Sequence, residues 1–128
     1  MYFQILKNLP GNPEWEGSFY EKLTEYGVWD ADEFWKLELD LINAAKVNRE
    51  SEVMDKKLVL GVATLHSKIY NLIAAHYNKN DIFKIRNLTP DELIAFTERF
   101  QNSMLGVFSG EVIPESSYDL VNPLIANA

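Results

Sequence analysis

Cysteine is absent from this chain of 128 residues. That excludes a disulfide framework, a thiolate metal site and a cysteine nucleophile, and it suits a reducing cytoplasm. Long apolar runs are missing too. The longest extend over about four residues, against the roughly 20 that cross a bilayer. Met1 to Pro10 holds one lysine and no apolar core followed by small residues, so no secretory signal is expected. Cations are scarce, with 12 Lys and Arg against 19 Asp and Glu, and the pI is near 4.8. This argues against nucleic acid and against anionic membranes as direct partners, since both attract lysine and arginine. Repeats, low-complexity tracts and linkers are also lacking, so a single domain over 1–128 is expected, with 47% hydrophobic residues to build its core.

What is present is concentrated. The 27 residues from Glu14 to Asp40 hold nine carboxylates (Glu14, Glu16, Glu21, Glu25, Asp30, Asp32, Glu33, Glu38 and Asp40) against Lys22 and Lys36. Their balance of −7 equals the formal charge of the whole chain. All three tryptophans, Trp15, Trp29 and Trp35, lie in the same stretch, with Phe19, Tyr20, Tyr26 and Phe34. Charge of one sign steers an oppositely charged partner, and tryptophan and tyrosine anchor interfaces more often than other residues. Phe19, Leu23 and Phe34 read as core. The expected partner-binding positions are Glu14, Trp15, Glu16, Tyr20, Glu21, Glu25, Asp32, Glu33 and Asp40, with Tyr20 and Trp15 as the exposed anchors.

The periodicity predicts an all-α fold, an antiparallel bundle of about four helices with irregular N-terminal and C-terminal extensions. Tyr2 to Leu6 reads as a short extended or strand-like piece stopped by Pro10-Gly11-Asn12-Pro13. Ser18 with Glu21 reads as a capping box for a short helix that stops at Gly27. Asp30 caps a second helix reaching about Val47. A third is expected from about Ser51 to Tyr77, with Met54, Leu58, Val62, Leu65, Ile69 and Leu72 on one face. Thr89-Pro90-Asp91-Glu92 opens a fourth, which carries Leu93, Phe96, Phe100, Met104 and Val107 inward and ends between Gly106 and Gly110. Ile82 to Ile85 reads as a short strand or an irregular crossing. The tail from Glu111 is expected to cross the bundle through Val112, Ile113, Tyr118, Leu120 and Leu124.

Catalytic motifs fail on spacing. A di-iron bundle needs glutamate three residues before histidine, but Ala63 and Ile73 precede His66 and His76. The two histidines face different sides of their helix, so no metal pair is expected. Ser109 in Gly106 to Gly110 follows a helix and sits one place too late for a nucleophile elbow. Gly11 to Gly17 lacks the lysine of a phosphate loop. No catalytic residue, metal or cofactor is therefore expected. Glu38 stands out within an apolar arc of Phe34, Leu41, Ile42 and Ala45. It reads as a structural carboxylate paired with a lysine, a tyrosine or a backbone amide, because an unpaired buried carboxylate is costly. His76 reads as a helix-terminal histidine bonded to a carbonyl. An antiparallel return near Asn48 would set Glu38 opposite about residue 60, away from His76.

Three segments carry a resemblance: Gly17-Ser18-Phe19-Tyr20-Glu21-Lys22-Leu23, Gly27-Val28-Trp29-Asp30 and Glu33-Phe34-Trp35-Lys36. With Leu105-Gly106-Val107-Phe108-Ser109-Gly110-Glu111 near the end, they resemble a family of immunity proteins from bacterial polymorphic toxin and contact-dependent growth inhibition systems. The resemblance implies a small cytoplasmic protein that binds a toxin domain encoded beside it and blocks its active site. Such toxins are commonly nucleases with basic, phosphate-binding clefts. It carries no catalytic residues over, so the contacts above rest on charge alone. The alternatives are a helical adaptor or regulator binding a basic host protein and, more remotely, a small hydrolase using Glu38 as base. Oligomeric state is not legible in the sequence.

Overall fold

The computed structural model describes residues 2–126, so the expected domain bounds of 1–128 reach past it at Met1 and at residues 127–128. Six α-helices follow in chain order: α1 (Phe3–Lys7), α2 (Phe19–Tyr26), α3 (Ala31–Asn48), α4 (Lys56–Tyr77), α5 (Pro90–Ser109) and α6 (Pro123–Ala126). A 3₁₀ turn spans Glu115–Ser117, and there is no strand among the described residues.

The caps set the boundaries. Ser18 Oγ accepts the Glu21 amide and Asp30 Oδ1 accepts the Glu33 amide. At Thr89 both arms of a capping box are formed, the hydroxyl accepting from Glu92 N and the Glu92 carboxylate accepting from Thr89 N. Glu21 closes only half a box, since its carboxylate takes the amide of Gly17. α2 ends at Gly27, whose backbone is left-handed at φ 66; a Cβ there would also lie 2.5 Å from the Lys84 carbonyl.

Two expected boundaries move. The piece expected to be extended is helical over Phe3–Lys7, with Tyr2 ahead of it at a left-handed φ of 59, and a carboxylate distant in sequence caps it. Asp40 Oδ2 accepts from Gln4 N at 2.7 Å and from Ile5 N at 3.2 Å. α4 begins at Lys56, not near Ser51. Asp55 caps it through Lys57 N, while Ser51 spends its hydroxyl on a local turn with Val53.

The dominant packing joins α3 to α5. Trp35 meets Phe96, Glu38 meets Arg99, Ala45 lies by Gly106 and Arg49 bonds Gly110. The separation is 61 residues each time, so the two helices run parallel and in register. α4 runs against α5, with Tyr77 beside Ile94 and Ala63 beside Leu105. Glu38 meets α5 and the tail rather than the region of residue 60, and α1 touches both α3 and α4. Ile5 and Leu9 instead approach α4 at Gly61.

The core takes the predicted seam: Leu58, Val62, Leu65 and Ile69 of α4 are buried, with Ile73, and all five predicted inward residues of α5. Met54 and Leu72 are half-buried at its rim. Aromatic edges lock its centre. Phe19 meets Trp29 at 4.7 Å and 76°, and Phe34 meets Phe96 at 5.3 Å and 82°. α4 is long and apolar enough, by length and composition, to cross a membrane, with mean hydropathy 1.3; here its apolar line packs into the bundle.

Candidate functional site

Glu38 and Arg99 both have fully buried side chains. Arg99 Nε donates to Glu38 Oε2 at 2.8 Å and Nη2 donates to Oε1 at 2.6 Å, the bidentate fork of a strong ion pair. Ser103 Oγ donates to Glu38 Oε2 and Asn122 Nδ2 donates to Oε1, both at 3.0 Å. The guanidinium also reaches Glu115 Oε2 at 2.7 Å and the Leu120 carbonyl at 2.9 Å. The Tyr118 ring lies 4.1 Å from the guanidinium carbon. Burial works to lower the Arg99 pKa, but hydrogen bonds and charge from Glu38 and Glu115 outweigh it and hold it above the ordinary value.

The donors and acceptors of this cluster bond one another and the tail. Its work is to bind the tail. The tail crosses the bundle as expected, yet its one fully buried residue among those described is polar Asn122, and Leu124 is exposed. Glu38 is buried and paired as expected, but with an arginine rather than a lysine, a tyrosine or a backbone amide. Arg99 shares the inward stripe of Phe96, Phe100 and Ser103 on α5, the same sequence signal that marks Glu38 on α3.

No group of three or more His, Asp or Glu side chains among the described residues is placed to hold a metal ion. His66 stacks on Phe100 at 5.6 Å. His76 does not bond a carbonyl through its ring; its Nδ1 accepts the Ile85 amide at 2.9 Å. That contact needs a neutral ring, and burial followed by the nearby Lys84 charge lowers the His76 pKa.

The acidic stretch divides into spent and free carboxylates. Asp40 caps α1 and Glu21, only 7% exposed, binds the Gly17 amide. Glu33 is held between Lys7 at 3.1 Å and Lys36 at 2.7 Å, and Asp30 pairs with Lys22 at 2.6 Å. The expected outward placement of Glu21, Glu33 and Asp40 is thus corrected: backbone amides and lysines draw them in. Tyr20 is buried, not an exposed anchor, because it packs in the core and its amide is fixed by Asn8 Oδ1 at 2.8 Å. Trp15 is half-buried. Glu14, Glu16, Glu25 and Asp32 remain, all exposed and without an ion pair among the described residues. The exposed aromatic of the stretch is Tyr26. It lines a groove of about 460 Å³ with Glu25, Ile82, Phe83 and Arg86.

No curated protein and no solved structure matches the chain. Residues 7–118 match the family described as Immunity protein 41, and the role that goes with such a family is neutralising a toxin protein by binding it. That match takes in all four long helices, the Glu38–Arg99 pair, and the free carboxylates Glu14, Glu16, Glu25 and Asp32. The chain belongs to the Immunity protein 41 family.

Proposed function

We propose that this protein neutralises its toxin in the cytoplasm by laying the carboxylates of its N-terminal third over a basic active-site cleft, and that the toxin is a nuclease. The observation that carries this reading is the division just described. Of nine carboxylates in Glu14–Asp40, those that cap helices or pair with lysine are drawn inward. Glu14, Glu16, Glu25 and Asp32 are left in water with no cation of their own. Free charges of one sign raise the encounter rate with a cleft of the opposite sign and mimic the phosphates that such a cleft binds. No residue of the chain is asked to do chemistry, and no cofactor is involved. Trp15, half-buried between Glu14 and Glu16, adds apolar area to the same surface.

The test uses the toxin domain encoded by the gene immediately upstream. Mixed with this chain at equal concentration, it should form a stable complex and lose its nuclease activity. A toxin that stays fully active in the complex would contradict the blocking of its active site. A toxin that is inhibited but acts on another substrate class would remove the nuclease assignment alone.

A further inference from the structure

We infer that the groove between the C-terminal end of α2 and the irregular segment 82–86 seats an apolar projection of the cognate toxin, with Ile82 and Tyr26 as its anchors. This rests on the immunity reading above and extends it from steering to grip. Ile82 is fully exposed, at 100%, and Tyr26 is 61% exposed. An isoleucine wholly in water contributes nothing to this core.

The backbone on either side of it is nonetheless firmly held. Phe83 N donates to Asp81 Oδ1 at 2.9 Å, Ile85 N to His76 Nδ1 at 2.9 Å and Arg86 N to the Gly27 carbonyl at 2.8 Å. Lys84 Nζ ties the carbonyls of His76, Asn78 and Asp81 together at 3.0–3.1 Å. A side chain presented on a fixed backbone loses little entropy when a partner covers it, which is the property of a preorganised anchor. Tyrosine, arginine and large apolar groups around a recess are also the composition that concentrates binding energy.

Charge defines the occupant. Glu25 and Arg86 both line the groove, and neither has an ion pair among the described residues. They call for a protein surface whose apolar tip is flanked by one base and one acid. Glu25 also belongs to the free carboxylates that meet the toxin, so one docking event covers both.

The experiment measures association and dissociation rates of the full chain with the upstream-encoded toxin domain, for wild type, Ile82→Asp and Tyr26→Ala. Both side chains are exposed, so melting temperatures should be unchanged. Each substitution should speed dissociation about tenfold or more while leaving association within about twofold, as loss of a desolvated anchor does. Wild-type dissociation rates in both variants would overturn the inference and leave the immunity reading intact. So would a wild-type homodimer that Ile82→Asp dissolves without effect on toxin binding, since a second copy would then own the groove. A wild-type chain that fails to bind the toxin would overturn the immunity reading and this inference with it.

Discussion

At the scale of single residues, Glu38 and His76 show how one polar atom in the right place fixes a distant segment. Glu38 gathers Arg99, Ser103 and Asn122 from α5 and the tail. Glu38→Gln keeps the shape but leaves the Arg99 charge buried against a neutral amide. Loss of one partner of a buried pair should cost about 3 kcal/mol, read as a lower denaturant midpoint, while toxin binding persists. Lost binding at unchanged stability would show that Glu38 contacts the partner after all. His76 works in the opposite protonation sense. Its ring must stay neutral to accept the Ile85 amide, and its folded pKa lies below the ordinary value. The unfolded chain therefore takes up the proton first as pH falls. The stability His76 contributes is complete above about pH 6.5 and shrinks below it. Denaturation midpoints at pH 7.5 and 5.5 should differ less in His76→Gln, which offers an acceptor that does not titrate, than in wild type. Asp30 and Glu33 add a second acid limb. Burial raises both, but hydrogen bonds from Lys22, and from Lys36 and Lys7, outweigh it and lower their pKa values. Their contribution is lost only below the ordinary carboxylate range.

At the scale of elements, the glycines at the end of α5 show space prevailing over propensity. Gly106 is helical, and alanine there would gain about 1 kcal/mol of helix propensity. Its Cβ, however, would lie 2.6 Å from the Glu111 carbonyl. Gly106→Ala should thus destabilise the fold by roughly 1–3 kcal/mol, and a raised melting temperature would contradict this. Gly110 has a left-handed backbone at φ 77, and a Cβ would meet Arg49 Cα at 2.7 Å. The two glycines of the Gly106–Gly110 segment are therefore explained by packing. Helix signals that are local in sequence were legible: Ser18, Asp30 and Thr89 all cap where their spacing places them. Signals that arrive from elsewhere in the chain were not. Tyr2 to Leu6 reads as extended by composition, while the helix over Phe3–Lys7 is capped by the distant Asp40 carboxylate. Ser51 and Asp55 compete as caps four residues apart, and local sequence does not rank them. Ile82 to Ile85 proved an irregular crossing, fastened by side chains rather than by a ladder.

At the scale of the whole molecule, charge and helix content were legible, while the division of labour among the carboxylates was not. Composition locates nine carboxylates in one stretch. It does not show that Glu21 and Asp40 bond backbone amides, or that Glu33 sits between two lysines. Aromatic count likewise overstates the surface, since Trp29 and Trp35 are core and Tyr20 is buried. What remains exposed is simpler than the sequence suggested: four free carboxylates, a half-buried Trp15 and the Tyr26–Ile82 groove. The central claim is that these carboxylates steer the chain onto a basic toxin, and the most direct test is the association rate at low and high salt. It compares wild type with a Glu14→Lys, Glu16→Lys, Glu25→Lys, Asp32→Lys variant. Exposed charges are screened over about 8–10 Å at physiological salt. Wild-type association should therefore fall steeply as salt rises, by about tenfold or more, and the variant should be slow and nearly indifferent to salt. Equal, salt-insensitive association rates for the two proteins would contradict the claim.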